Sequence, residues 1–223
     1  MTLCLFLTYR AAGGLDPDDI ANLEAAFHAQ PKLQKALIHT ATSVTDPYLK
    51  DESSPQLVLQ LYFATLPELE AAATRSGLVG TLASDRFPSL AKAAVTQQAM
   101  LVRTFAVPEP GLPGCTYLVA YEGEAQDFNA WLSHYLDKHT VHMARFPAIR
   151  ELEVYTRVDW VSELPWQRVS FMQRNKVAFD SAEALSAALH SPVRHEMRAD
   201  YHDFPPFTGS VSHFAMSTRT VGL

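Results

Sequence analysis

Blocks of continuous apolar sequence and blocks of helically spaced sequence alternate along the chain, in an order that runs through twice. Residues 2–9, "TLCLFLTY", are apolar at nearly every position, the pattern of a strand covered on both faces. A helix follows, opened by Asp16 as cap and Pro17 in the first turn, with Ile20, Leu23 and Phe27 at helical spacing. Residues 32–44 and 55–64 read as two strands joined by a polar connection at 45–54, residues 65–77 as a second helix and 88–97 as a further helical segment. The strand at 99–107 closes the series. After "PEPGLPG" (108–114), which can continue neither strand nor helix, the order begins again. Strands are expected at 115–123, 149–158, 168–179 and 210–221, with helices at 127–146 and 180–192.

Both series are βαββαβ, and landmarks correspond between them: Tyr9 with Tyr121, Phe63 with Phe179, Leu69 with Leu185. The pattern predicts a tandem duplication, with units at 1–106 and 115–223 and a linker at 107–114. One βαββαβ unit is the ferredoxin-like arrangement, an antiparallel sheet with both helices on one face. Strands as apolar as "LCLFL" and "LVLQLYF" require the other face to be covered too. The expected fold is therefore α+β: two ferredoxin-like units whose antiparallel sheets face each other in a pseudo-dimeric α+β barrel.

Composition narrows the class. With 223 residues and a formal net charge of −6, without a basic cluster, the chain argues against nucleic-acid or anionic-membrane partners. Two cysteines, Cys4 and Cys115, show no metal-ligand spacing, and the first ten residues lack the basic start and long apolar run of a signal peptide. A reduced, cytoplasmic setting is expected, with self-association left open. No phosphate-binding or serine-nucleophile motif occurs, so nucleotide use and serine hydrolysis are poorly supported.

Chemistry concentrates in "HYLDKHTVHMARFP" (134–147), where three histidines fall within nine residues. Wound at about 100° per residue, Phe128, Trp131, Leu132, Tyr135, Met143 and Phe146 form one apolar stripe; His139 and His142 lie on it and His134 points away to solvent. Tyr135 stands one turn before His139, placing a hydroxyl beside an imidazole suited to proton transfer near pH 7. The bland alternative is a core histidine bonded to backbone. The His139–His142 spacing lacks the i, i+4 geometry and intervening glutamate of a zinc helix, and no metal is expected. Trp160 and Trp166 suit a pocket mouth, a partner surface or local packing. The mixed-charge run from Arg194 to Asp203 reads as a solvated helix and loop from which Asp203 reaches the site.

The strand "YLVAYEG", the helix "FNAWLSHYLDKH" with its aromatic pair before a histidine, the segment "VAFDSAEALSAALHSP" and the run "DYHDFPPF" resemble, in that order, the EthD-like family of the dimeric α+β barrel superfamily. The resemblance covers about residues 115–221. It implies a small-molecule pocket between sheet and helices with His139 in it. The N-terminal half fits the element order but lacks the motif, having only His28 near its first helix, which implies a scaffold role. The site expected is His139 as acid/base, Tyr135 as its hydrogen-bond partner, and Trp131, His142, Phe146 and Asp203 against the ligand. The leading function is binding, or cofactor-independent proton-transfer chemistry (dehydration, isomerisation or cyclisation), on an apolar, oxygenated, often aromatic compound. Haem held by a helix histidine, as in some tandem relatives of the superfamily, and a non-catalytic assembly module are the alternatives.

Overall fold

The computed structural model of the chain describes residues 1–11, 16–30, 32–49, 54–83 and 87–222, so part of the 45–54 connection lies outside the described residues. The first unit holds β1 (Leu3–Arg10), α1 (Pro17–His28), β2 (Leu33–Ala41), β3 (Leu57–Phe63), α2 (Leu66–Ala72), α3 (Leu78–Leu82) and β4 (Ala94–Phe105). The second holds β5 (Cys115–Tyr121), α4 (Phe128–His134), a π-turn (Tyr135–His139), α5 (Thr140–Met143), β6 (Glu151–Arg157), β7 (Gln167–Arg168), β8 (Gln173–Phe179), α6 (Ala182–Leu189), α7 (Pro192–His202) and β9 (Val211–Val221).

The strands run β1-β3-β2-β9-β5-β8-β6-β4, and β4 pairs back onto β1, closing an eight-stranded antiparallel barrel; two-residue β7 adds a parallel pairing on β4. Within each unit the spatial order is second, third, first, fourth strand. The second strand of each unit pairs with the fourth of the other, as β2 with β9 and β6 with β4. The expected α+β barrel is what forms, and its closure leaves few backbone edges exposed.

Period-2 alternation splits each strand between two environments. In β1, Leu3, Leu5, Leu7 and Tyr9 face the helices, while Cys4 and Phe6 enter the lumen with Leu37, Val58, Tyr62, Met100, Leu118, Tyr155 and Met216. A separate helix-side core covers the second sheet. Double coverage explains why whole strands read as apolar.

The lumen also carries a polar chain. Lys176 Nζ lies 2.6 Å from Glu151 and 3.1 Å from Glu153, and Glu153 accepts from Tyr62 (2.7 Å) and Tyr155 (2.5 Å). Gln60 donates to Tyr155 at 2.8 Å and accepts from His39 Nε2 at 2.8 Å; His39 Nδ1 meets Thr218 Oγ1 at 2.9 Å.

One expectation needs correction, and one open alternative is decided. Residues 88–92 form turns, not a helix, and β4 already starts at Ala94, opposite Arg10, because Val95 and Gln98 are buried on its two faces. Trp160 and Trp166 pack with the first unit's helix-side core, Trp166 edge-on to Tyr9 at 5.9 Å, and so do not cover the second unit's cavity. No helix among the described residues is long and apolar enough to cross a membrane.

Candidate functional site

The histidine segment is not a uniform α-helix. Asp127 caps it, its carboxylate accepting from Ala130 N–H at 3.0 Å. At Tyr135–His139 the winding loosens to a π-turn, the Thr140 N–H reaching back to the Tyr135 carbonyl. In an α-helix, side chains five apart diverge by about 140°. Here His134 and His139 converge on one carboxylate: His134 Nε2 lies 2.9 Å from Asp200 Oδ1, and His139 Nδ1 lies 2.7 Å from Asp200 Oδ2. The helical wheel therefore misplaced His134, which is half-buried and paired rather than solvent-facing.

His139 is wedged between the rings of Tyr135 (4.9 Å) and Phe204 (5.0 Å). Burial lowers its pKa below the ordinary histidine value, outweighing the Asp200 carboxylate beside it, so the ring is neutral at pH 7. Burial works to raise the Asp200 carboxyl, but the bonds from His139 and then His134 prevail and hold it below its usual range. A neutral imidazole donating Nδ1–H to an ionised aspartate keeps Nε2 as its basic nitrogen.

His139 borders a cavity of about 220 Å³. Its floor is the sheet, with Val119, Tyr121, Asn175, Val177, Val211 and His213; Tyr135, His139, Met143 and Phe146 form one wall. Arg194, Met197, Arg198 and Tyr201, spaced as one face of α7, form the other, and Leu49 reaches over from the first unit. Asn175 is 2% exposed and its Oδ1 has no hydrogen-bond partner. Arg194 is neutralised by buried Asp46, at 3.0 Å from Nε, and Asp46 also accepts from the Tyr117 hydroxyl at 3.1 Å. Gly209, at φ 83°, turns the chain into β9 at the cavity edge; a side chain there would collide with Gly123.

Of the residues singled out from sequence, Tyr135, His139 and Phe146 meet at the cavity. Tyr135 is not the hydrogen-bond partner of His139: the two touch ring to ring, and the Tyr135 hydroxyl donates to Met143 Sδ at 3.7 Å. Burial raises the pKa of that hydroxyl, keeping it protonated. Trp131 lies behind the cavity, stacked on Tyr135 at 5.2 Å and edge-on to Tyr121 at 5.1 Å. His142 faces α7 and pairs with Glu196 at 3.2 Å, half-exposed. Asp203 is exposed at the C-cap of α7, away from the cavity lining; the acid that reaches the site is Asp200, one turn earlier. Asp200, Arg194, Arg198 and Asn175 escaped the sequence reading. The available signal was Met197 and Tyr201 at helical spacing among the arginines, which marks a half-buried face. Among the described residues no cluster of three or more histidine, cysteine or acidic side chains could hold a metal ion.

No family model matches the chain, and no curated protein does. Solved structures do. An anthrone oxidase-like protein, 13% identical, aligns over 100% of this chain and 94% of its own with a TM-score of 0.64. A point mutant of chlorite dismutase from Candidatus Nitrospira defluvii is 9% identical over 97% of this chain and 91% of its own, with a TM-score of 0.56. An ethyl tert-butyl ether D family protein from Bacillus halodurans is 20% identical but covers 44% of this chain at a TM-score of 0.35. At these identities the first two likenesses speak to fold: the chain has the dimeric α+β barrel architecture along its whole length.

Proposed function

We propose that the second unit binds a small oxygenated aromatic compound and transfers a proton on it without a cofactor. The observation that carries this reading is His139 on the wall of a mostly apolar cavity, its Nδ1 held from behind by Asp200. Neutral His139 takes a proton from carbon next to a ring carbonyl through Nε2, and the electron pair moves into the enolate. Asp200 stabilises the imidazolium formed, and return of the proton to the enolate oxygen gives the hydroxylated tautomer. The cavity is smaller than the roughly 300–1,000 Å³ of drug-sized sites, which suits one or two rings.

The test is solvent deuterium exchange at C2 of 1-tetralone, followed by NMR. The wild type should exceed the buffer rate, and His139→Gln should lose at least about 100-fold, the usual weight of a general base. A wild type at buffer rate, with no ring ketone or phenol bound, overturns the reading.

One observation favours haem as the second reading: a histidine held by a carboxylate through Nδ1 is oriented as metal-binding histidines are. The cavity as it stands does not fit, because a porphyrin is larger than most drug-sized ligands. No step is assigned to it. A Soret band after haem reconstitution, lost in His139→Ala, would favour this reading over the first.

A further inference from the structure

Helix α7 carries four charged side chains besides its histidines, and three are matched within the protein. Arg194 pairs with Asp46, Glu196 with Arg145 and His142, and Asp200 with His134 and His139. His195 meets the Tyr48 hydroxyl. Arg198 is the exception. Its guanidinium stacks on Tyr48 (5.9 Å) and Tyr201 (5.5 Å), borders the cavity and forms no ion pair among the described residues. Among the described residues, the acids on and against α7 are committed: Asp46 to Arg194, Glu196 to Arg145, Asp200 to the two histidines. A half-buried guanidinium flanked by rings is held in place and partly desolvated, with most of its N–H donors unspent. On the sheet floor Asn175 presents the complementary deficit, a buried carbonyl oxygen with no donor.

We infer that the ligand of this cavity is a hydroxylated aromatic carboxylate, its carboxylate on Arg198 and its hydroxyl on Asn175 Oδ1; this rests on the pocket reading above. One unmatched guanidinium suits a monocarboxylate in charge and in planar, two-pronged geometry. Among the described residues no second unpaired guanidinium or ammonium lines the cavity for a phosphate, because Asp46 cancels Arg194. The rings of Tyr121, Tyr135, Phe146 and Tyr201 supply aromatic walls between the two polar ends.

The experiment compares 6-hydroxy-2-naphthoate with 2-naphthol, and 4-hydroxybenzoate with 4-methylphenol, by titration calorimetry at pH 7. Each acid should bind the wild type about tenfold or more tightly than its neutral partner, as expected for a charge-assisted hydrogen bond, and added salt should erode the margin. In Arg198→Met the acid-to-neutral ratio should collapse towards one, and Arg198→Lys should restore part of it. Equal or tighter binding of the neutral partners by the wild type overturns the inference. So does an equal loss for acid and neutral partner in Arg198→Met, which would make Arg198 structural. If 1-tetralone exchange succeeds while the acids show no advantage, the inference alone falls. If neither acids nor neutral partners bind and exchange is absent, the pocket reading falls with it.

Discussion

The barrel lumen and the helix-side cavity of the second unit both bury charged and polar groups, on opposite faces of one sheet, and they treat them differently. In the lumen the groups around Lys176, Glu153 and Gln60 answer one another. Lys176 sits between two glutamates, both tyrosines donate to Glu153, and His39 is held between Gln60 and Thr218. Burial works to raise the Glu153 carboxyl, yet Lys176 and Lys35 hold it at about 2; burial drives His39 down to about 3. On the cavity side, among the described residues, Asn175 Oδ1 has no donor and Arg198 forms no ion pair, while His139 spends one ring nitrogen on Asp200. A closed polar network holds a fold together, whereas an open one beside a cavity leaves donors and acceptors of the kind a ligand can use.

That contrast is broken most severely from the lumen. Lys176→Met strands the carboxylates of Glu151 and Glu153, and urea unfolding should show a loss of about 3–5 kcal/mol. A loss below about 1 kcal/mol would mean that water already reaches the network. Next comes Asp200→Asn, which weakens the bonds to both histidines. Unfolding should register about 1–3 kcal/mol, and 1-tetralone exchange should fall along with it. Unchanged exchange in that variant would detach Asp200 from the chemistry.

Smaller effects sharpen the comparison. His134→Ala frees one Asp200 oxygen at a half-exposed position and should cost about 0.5–1.5 kcal/mol, while the preference for acid over neutral ligands persists. The pH dependence is subtler. His139 titrates below 6.5 when folded and near 6.5 when unfolded, so in acid the unfolded chain binds more protons. Its contribution is complete above about pH 6.5 and is lost as pH falls through the folded value. Stability should therefore drop from about pH 7 to about pH 5 less steeply in His139→Gln than in the wild type. His39 acts with the same sign over a wider range, so part of the slope should survive.

The fold was legible because two-sided burial writes itself into composition. "LVLQLYF" is apolar throughout except Gln60, which turns into the lumen to serve His39 and Tyr155. The site was half legible. His139 and Phe146 stood out on a helical stripe, but the stripe assumed uniform winding, and no residue type announces the π-turn that carries His134 to Asp200. Asp200 itself looked like one of many charges on a polar run, since its role depends on a partner 61 residues away. Asp203, nearer the aromatic motif, was the more visible acid and lies outside.

The place of β9 in the barrel governs how the molecule comes into being. It follows every other strand in the chain, yet it inserts between β2 and β5, with Val221 opposite Ala36 and Ser217 opposite Cys115. Until it arrives the barrel has a gap at its middle, two apolar strand edges lie open, and His39 lacks the Thr218 hydroxyl. Closing so long a loop costs chain entropy before any contact rewards it, which makes the last step slow and the waiting chain prone to stick to others. During synthesis the barrel stays open until its final strand clears the ribosome, and that interval is when a chaperone has most to hold.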